Sequence, residues 1–263
     1  MFPRIRTQRT VDFETLTFEP VGDGFRATEW MHAPGSLPPG IRVFAFGDIH
    51  GRSDLLQRHL DRLSADGPPG TCVFLGDIID RGPDTAGVID TILGGLPDGF
   101  DTVSLLGNHE MMMLDFLDNP ADAASWLVNG GAAVLESYGI DPIGPKGALR
   151  DRLQDVLPAA HRAYLQSLRT HFAVGEYYFV HAGVNPETPL EDQLFHDKLW
   201  IRTPFSDIDA DLEKVVVHGH TIYRRPVVHG RRIGIDTGAC LADGALTCLS
   251  LEADRMRFHM LPT

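Results

Sequence analysis

Short apolar runs recur along the chain, and most of them stop abruptly at Gly, Asp, Asn or His. Arg42-Val43-Phe44-Ala45-Phe46, Thr71–Leu75 and Thr102–Leu106 read as buried strands. Between the first two, Leu55, Leu56, Leu60 and Leu63 fall on one helical face behind Ser53, a residue type that caps helix N-termini. A second helix is predicted near Thr85–Leu93 and a third over Glu110–Leu117. Strand–helix–strand–helix–strand is the order of α/β units. Residues 118–170 read as mostly helical, broken at Asn129-Gly130-Gly131 and Gly144-Pro145, and form an insertion beyond the sheet that is placed to cap a site. The pattern then turns to strands: Tyr177–Val180, Val215–Val217, Pro226–His229, Arg232–Ile235, Ala245–Leu251 and Arg255–Met260, with a hairpin turn after Gly230. Residues 1–40 read as an irregular wrapping arm that ends in a Pro- and Gly-rich cluster at 34–40. There is no internal repeat.

The polar residues that end these runs form five blocks: Gly47-Asp48-Ile49-His50-Gly51, Gly76-Asp77-Ile78-Ile79-Asp80-Arg81-Gly82, Gly107-Asn108-His109-Glu110, Val180-His181-Ala182-Gly183 and His218-Gly219-His220-Thr221. Each sits at the carboxyl end of a predicted strand, where open α/β sheets place ligands. Asp48 and His50 are two apart on extended backbone and so can point to one side. Asp48, His50, Asp77, Asn108, His181 and His220 mix carboxylate, imidazole and amide donors, which suit Mn2+, Fe or Zn2+ rather than a Cys-rich structural zinc site. They are too many for one tetrahedral ion and right for two ions sharing a carboxylate. Two ions about 3.5–4 Å apart clamp a phosphate and bring the pKa of a shared water from about 15.7 towards about 7. His109, next to Asn108, is the natural acid for a leaving oxygen, and the planar guanidinium of Arg81 suits phosphate oxygens.

Composition narrows the partners. With 263 residues the chain can bury a large core, and its formal net charge of −13 argues against a nucleic-acid or anionic-membrane surface. No apolar stretch approaches a membrane span, and the N-terminus lacks the apolar segment of a secretory signal. Cys72, Cys240 and Cys248 contain no Cys-x-x-Cys pair and read as thiols of a reducing cytoplasm. No cysteine is followed by Arg at the spacing of a cysteine-dependent phosphatase loop.

In this order, the five blocks resemble the metallophosphoesterase (calcineurin-like) superfamily, and more narrowly bacterial members of the phosphoprotein phosphatase group of Ser/Thr phosphatases. The resemblance covers roughly residues 43–240. It implies a β-sandwich flanked by helices, within a single domain spanning 1–263 that includes the arm at 1–40 and a helical cap at 118–170. It implies that Asp48 and His50 bind a first metal, that Asp77 bridges, and that Asn108, His181 and His220 bind a second. His109 would be the general acid, Asp80 would orient it, and Arg81, Arg202 and Asn108 would hold the substrate phosphate. The implied activity is a dinuclear metal-dependent phosphomonoesterase in which a metal-bridging hydroxide attacks a phosphorylated protein or a small phosphoester. Mn2+ is the first choice of ion, with Fe or Zn2+ as alternatives. Trp126, Asn129-Gly130-Gly131 and Ser137-Tyr138-Gly139 resemble the cap of bacterial members. Leu106 departs from the family, which commonly has Arg or Lys there; packing is expected to change without loss of a ligand.

The nearest rival is a bis(5'-nucleosyl)-tetraphosphatase, which uses the same metals. That branch typically lacks the Asp that is Asp80 here and has Asp in place of Glu110. A non-catalytic metal-binding scaffold is the rival from another class, though every expected catalytic position is filled. Blander readings apply elsewhere. His218 reads as structural, Met111-Met112-Met113 as the start of a packed helix, and Asp207–Asp211 as a solvated turn. Tyr223-Arg224-Arg225 is either a loop for acidic substrate groups or simply exposed.

Overall fold

The computed structural model describes residues 16–65, 67–119, 124–203, 205 and 212–263. Asp207–Asp211 and the first part of the arm lie outside them. In chain order the strands and helices are β1 (Glu19–Pro20), β2 (Arg26–Ala27), β3 (Met31–His32), β4 (Arg42–Phe46), α1 (Ser53–Ala65), β5 (Thr71–Phe74), α2 (Thr85–Gly94), β6 (Asp101–Ser104) and α3 (Asn108–Asp118). The helical stretch follows with α4 (Ala124–Trp126), a turn over Leu127–Gly131 that is kinked at Gly130 (φ 122°), α5 (Ala132–Ser137), α6 (Lys146–Val156) and α7 (Ala159–Gln166). The chain closes with β7 (His171–Val174), β8 (Tyr177–Val180), α8 (Phe195–Trp200), β9 (Val215–His218), β10 (Val227–His229), β11 (Arg232–Gly234), β12 (Ala245–Glu252) and β13 (Arg255–Pro262).

Two sheets face each other. The first runs β1-β2-β13-β12-β4-β5-β6, with β3 also on β13, and the second runs β10-β11-β9-β8-β7. Within the first sheet β4, β5 and β6 are parallel, and β12 joins β4 antiparallel. Within the second, β8, β9 and β11 are parallel.

Strand periodicity sends alternate side chains to opposite faces, and here both faces are covered. Val43, Ala45, Val73, Leu75, Tyr177, Phe179, Val215 and Val217 meet between the sheets. Their neighbours Phe44, Phe46, Cys72 and Phe74 pack outward against α1, α2, α3 and the helices of the insertion. Tyr178, Val180 and Val216 pack on the outer side of the second sheet with Val184, Phe205 and Leu212. This is the expected mixed α/β sandwich flanked by helices.

Some local expectations change. Ser53 is the first residue of α1 rather than its cap, and its hydroxyl donates to Asp84 at 2.5 Å, while Asp84 caps α2 by accepting from Gly87 N–H. The arm is not wholly irregular, because β2 and β3 extend the sheet along β13. The chain reverses between β10 and β11, where His229 faces Arg232 across the turn at Gly230, φ 56°. Met112 and Met113 are core residues of α3. No helix among the described residues is long and apolar enough to cross a membrane.

Candidate active site

The parallel strands of both sheets deliver their polar ends to one place. Asp48 and His50 follow β4, Asp77, Asp80 and Arg81 follow β5, and Asn108 and His109 open α3 after β6. From the second sheet come His181 after β8 and His220 after β9. Asp48, His50, Asp77, Asp80, Asn108, His109, His181 and His220 are all buried. The chain turns sharply to place them. His50, Asp77, Asp80, Arg81 and His220 are five of the seven non-glycine residues with positive φ among the described residues. Such backbone costs about 1–3 kcal/mol per residue and collects at functional sites.

Two buried donor clusters share one carboxylate: His50, Asp77 and His109 in one, Asp77, His181 and His220 in the other. His50 Nε2 and His109 Nε2 lie 3.9 and 3.8 Å from Asp77 Oδ2, and His181 Nε2 lies 3.4 Å from Asp77 Oδ1. Asn108 and Asp48 adjoin the second cluster. Asn108 Oδ1 is 2.9 Å from His181 Nε2, and both oxygens of Asp48 accept the His220 N–H at 3.1 Å.

Backbone carbonyls set the histidine tautomers, as is usual behind metal ligands. His50 Nδ1–H donates to Ile79 O at 2.8 Å and His181 Nδ1–H to Leu75 O at 3.0 Å. Burial holds both rings neutral: it pushes His50 well below the ordinary imidazole range and His181 to about 3, and His220 falls to about 2. The lone pair of His181 Nε2 therefore meets the acceptor oxygens of Asn108 and Asp77 with no donor among them. A cation satisfies that arrangement. Burial pushes Asp48 well above the usual carboxylate range, with Asp236 and Asp77 adding to the shift, and also raises Asp77. These carboxylates thus repel one another until positive charge arrives.

His109 of the first cluster is paired with Asp80. His109 Nδ1–H donates to Asp80 Oδ2 at 2.5 Å, and Trp126 Nε1–H donates to Asp80 Oδ1 at 3.0 Å. Burial drives Asp80 well above its ordinary range against the pull of the Trp126 donor, and lowers His109. Arg81 donates to His50 Nε2 at 2.7 Å and to His109 Nε2 at 2.9 Å. Arg202 is exposed, reaches Thr221 Oγ1 at 3.5 Å, and its charge acts on Asp77, His181 and His220. Leu106 is buried with its N–H on Arg169 O at 2.7 Å.

Two buried carboxylates here were not among the predicted site residues. Glu110 accepts the N–H groups of Gly107, Asp77, Ile78 and Ile79 and so ties the second block to the third. Burial and the nearby Asp77 push it to about 8 despite those donors. Asp236 follows β11, lies close enough to raise Asp48 by its charge, and is itself raised to about 6, mainly by burial. His218 stands outside both clusters; it faces Phe205 and Tyr223, with Nδ1 near Gly219 O. Arg224 and Arg225 are exposed on the loop after His220.

A calcineurin-like phosphoesterase family profile matches residues 41–234. The chain is 34% identical over 113 residues to serine/threonine-protein phosphatase 1 of Salmonella typhimurium, covering 43% of this chain and 45% of that one. It is 30% identical over 151 residues to a symmetrical bis(5'-nucleosyl)-tetraphosphatase of Dechloromonas aromatica, covering 56% and 45%. The chain thus spans about half the length of the curated relatives it matches. A cold-active protein-tyrosine phosphatase from a psychrophilic Shewanella shares the fold with a TM-score of 0.58 at 19% identity, over 87% of this chain and 83% of that one.

Proposed function

We propose, from the premise that this chain belongs to the calcineurin-like phosphoesterase family, that it is a metal-dependent phosphomonoesterase acting on phosphorylated serine and threonine side chains of proteins. The observation that carries this reading is Asp77, shared by two buried donor clusters, with His109 of the first cluster paired to Asp80. Asp48, His50 and Asp77 would hold one divalent ion, and Asp77, Asn108, His181 and His220 a second. Mn2+ suits this mixed oxygen and nitrogen set, with Fe and Zn2+ as alternatives. Such ions, when bound, supply charge neutralisation at the phosphoryl oxygens and a water acidic enough to act as nucleophile near neutral pH.

The chain's own side chains account for the remaining roles. Arg81 and Arg202 present planar guanidinium forks to the non-bridging oxygens of the phosphate, and the amide of Asn108 adds a donor. Arg81 donates to both His50 and His109 and would have to leave them to reach the phosphate. His109, held through Nδ1 by Asp80, turns Nε2 to the site; a proton taken up at Nε2 from solvent, once Arg81 has left that nitrogen, is then passed to the leaving oxygen. A serine or threonine alkoxide is a poor leaving group, and a buried acid–orienter pair is the device such a group needs. That pair, with Glu110 clamping the two loops, favours the phosphoprotein reading.

The second reading is a symmetrical bis(5'-nucleosyl)-tetraphosphatase, which relatives of that name support. Assays with a phosphoserine peptide and with diadenosine tetraphosphate, each with Mn2+ and with chelator, decide between them. The expected result is Mn2+-dependent release of inorganic phosphate from the peptide. Preferential release of nucleoside diphosphate selects the second reading. Hydrolysis of neither, by folded protein with metal bound, leaves a metal-binding scaffold.

A further inference from the structure

The insertion after α3 is fastened to the acid pair at its first turn. Trp126 is wholly buried, its ring lies 4.7 Å from that of Phe116, and its Nε1–H donates to one oxygen of Asp80. The other oxygen of Asp80 accepts from His109. The two oxygens of this fully buried carboxylate are thus aimed by two different elements. The turn that follows, Leu127–Gly131, is kinked at Gly130 (φ 122°) and continues the attachment. The carbonyl of Gly130 accepts the Arg81 N–H at 3.2 Å, and that of Asn129 accepts Arg81 Nε–H at 3.3 Å. A Cβ at Gly131 would lie 2.4 Å from the indole, so nothing larger than glycine lets the turn close on the ring.

We propose that Trp126 is a positioning residue for proton delivery: its indole N–H fixes the Asp80 carboxylate, which in turn orients His109. The inference rests on the phosphomonoesterase reading above. Trp126 is buried away from solvent and acts only through Asp80. A buried carboxylate with a single donor is free to rotate about its Cβ–Cγ bond, and His109 then loses the fixed orientation on which transfer to the leaving oxygen depends. The opening turn of the insertion, which also holds Arg81, is therefore part of the machinery as well as a cover.

The test removes the N–H and keeps the shape. Trp126 is replaced by 3-benzothienylalanine, in which sulfur stands in place of the indole nitrogen, and Trp126→Phe is made in parallel. Melting temperature, bound Mn2+ and kcat are measured on a phosphoserine peptide and on an aryl phosphate. The isosteric variant is expected to match the wild type in melting temperature and metal content. Its kcat on the peptide should fall about ten-fold or more, the worth of a hydrogen bond to a charged group. The fall on the aryl ester should be smaller, because an aryl oxide leaves with little help from an acid. Trp126→Phe should show the same split between substrates. Equal losses on both esters, or no loss on either, overturn the inference and leave Trp126 a packing residue. An inactive wild type overturns the phosphomonoesterase reading and this inference with it.

Discussion

Gly107 shows how tightly the backbone is drawn around Asp77. A Cβ there would fall 2.2 Å from Asp77 Oδ1 and 2.3 Å from its amide nitrogen. Gly107→Ala must therefore displace the carboxylate that the two clusters share, and Mn2+ affinity should fall about 10–100-fold, the usual cost of disturbing the support of a metal ligand. Titration calorimetry measures this directly, and unchanged affinity would count against a shared role for Asp77. His109→Asn removes the acid but none of the proposed ligands. Bound metal should stay constant while kcat falls by about 10²–10⁴. At this scale the sequence was informative wherever two donors or a Gly hinge ended one apolar run, as in Asp48-Ile49-His50 and Gly76-Asp77. Asp236 escaped notice although it too follows an apolar run, Ile233-Gly234-Ile235, because Asp236-Thr237-Gly238 brings no second donor. Only the folded chain shows that it meets Asp48.

Among the elements, α1 packs on the first sheet through an unexpected residue. His59 is buried with its ring edge-on to Phe25 and Phe46 at 4.8 and 5.8 Å, and its Nε2–H donates to Leu246 O at 3.0 Å. Burial holds its pKa at about 3, with His259, Arg58 and Arg62 adding to the depression. A histidine in the unfolded chain titrates near 6.5, so the unfolded state takes up this proton first as pH falls. The contribution of neutral His59 is complete above about pH 6.5 and is lost as pH drops towards 3, on the order of a few kcal/mol. His59→Leu should flatten the dependence of unfolding free energy on pH between 4 and 6.5 by up to one proton's worth, measured by urea titration. Equal slopes in the two proteins would show that His59 is protonated in the fold. The leucines of α1 made that helix legible, whereas the histidine among them carried no pattern. Likewise β7 was missed because its His171–Val174 segment is only half-buried and short, and α8 because it is a brief helix in a polar loop.

The whole molecule is a clamp of two sheets, which local patterns could not reveal. Strands buried on both faces read as continuous apolar runs without alternation, so the assignment of each face to one core or another is absent from the sequence. Nor does any local signal tell that β12, near the end of the chain, returns to lie beside β4. The consequence is that the donors of the site come from both halves: Asp48, His50, Asp77 and Asn108 follow strands of the first sheet, and His181 and His220 follow strands of the second. An ion held by Asp77, Asn108, His181 and His220 would tie one sheet to the other and offset the mutual repulsion of Asp48, Asp77 and Asp236. Since the unfolded chain holds no such site, Mn2+ at about 100 times its dissociation constant should add about 2.7 kcal/mol to the unfolding free energy. For a chain of this size that is roughly 5–10 °C in melting temperature. His220→Ala removes a donor contributed by the second sheet, so it should remove the part of the Mn2+-induced shift that the second ion contributes while the chelated protein melts close to the chelated wild type. Calorimetric scans of both proteins with Mn2+ and with chelator make the comparison. A full shift in His220→Ala would mean that the ions are held by the first sheet alone and that the clamp closes without them.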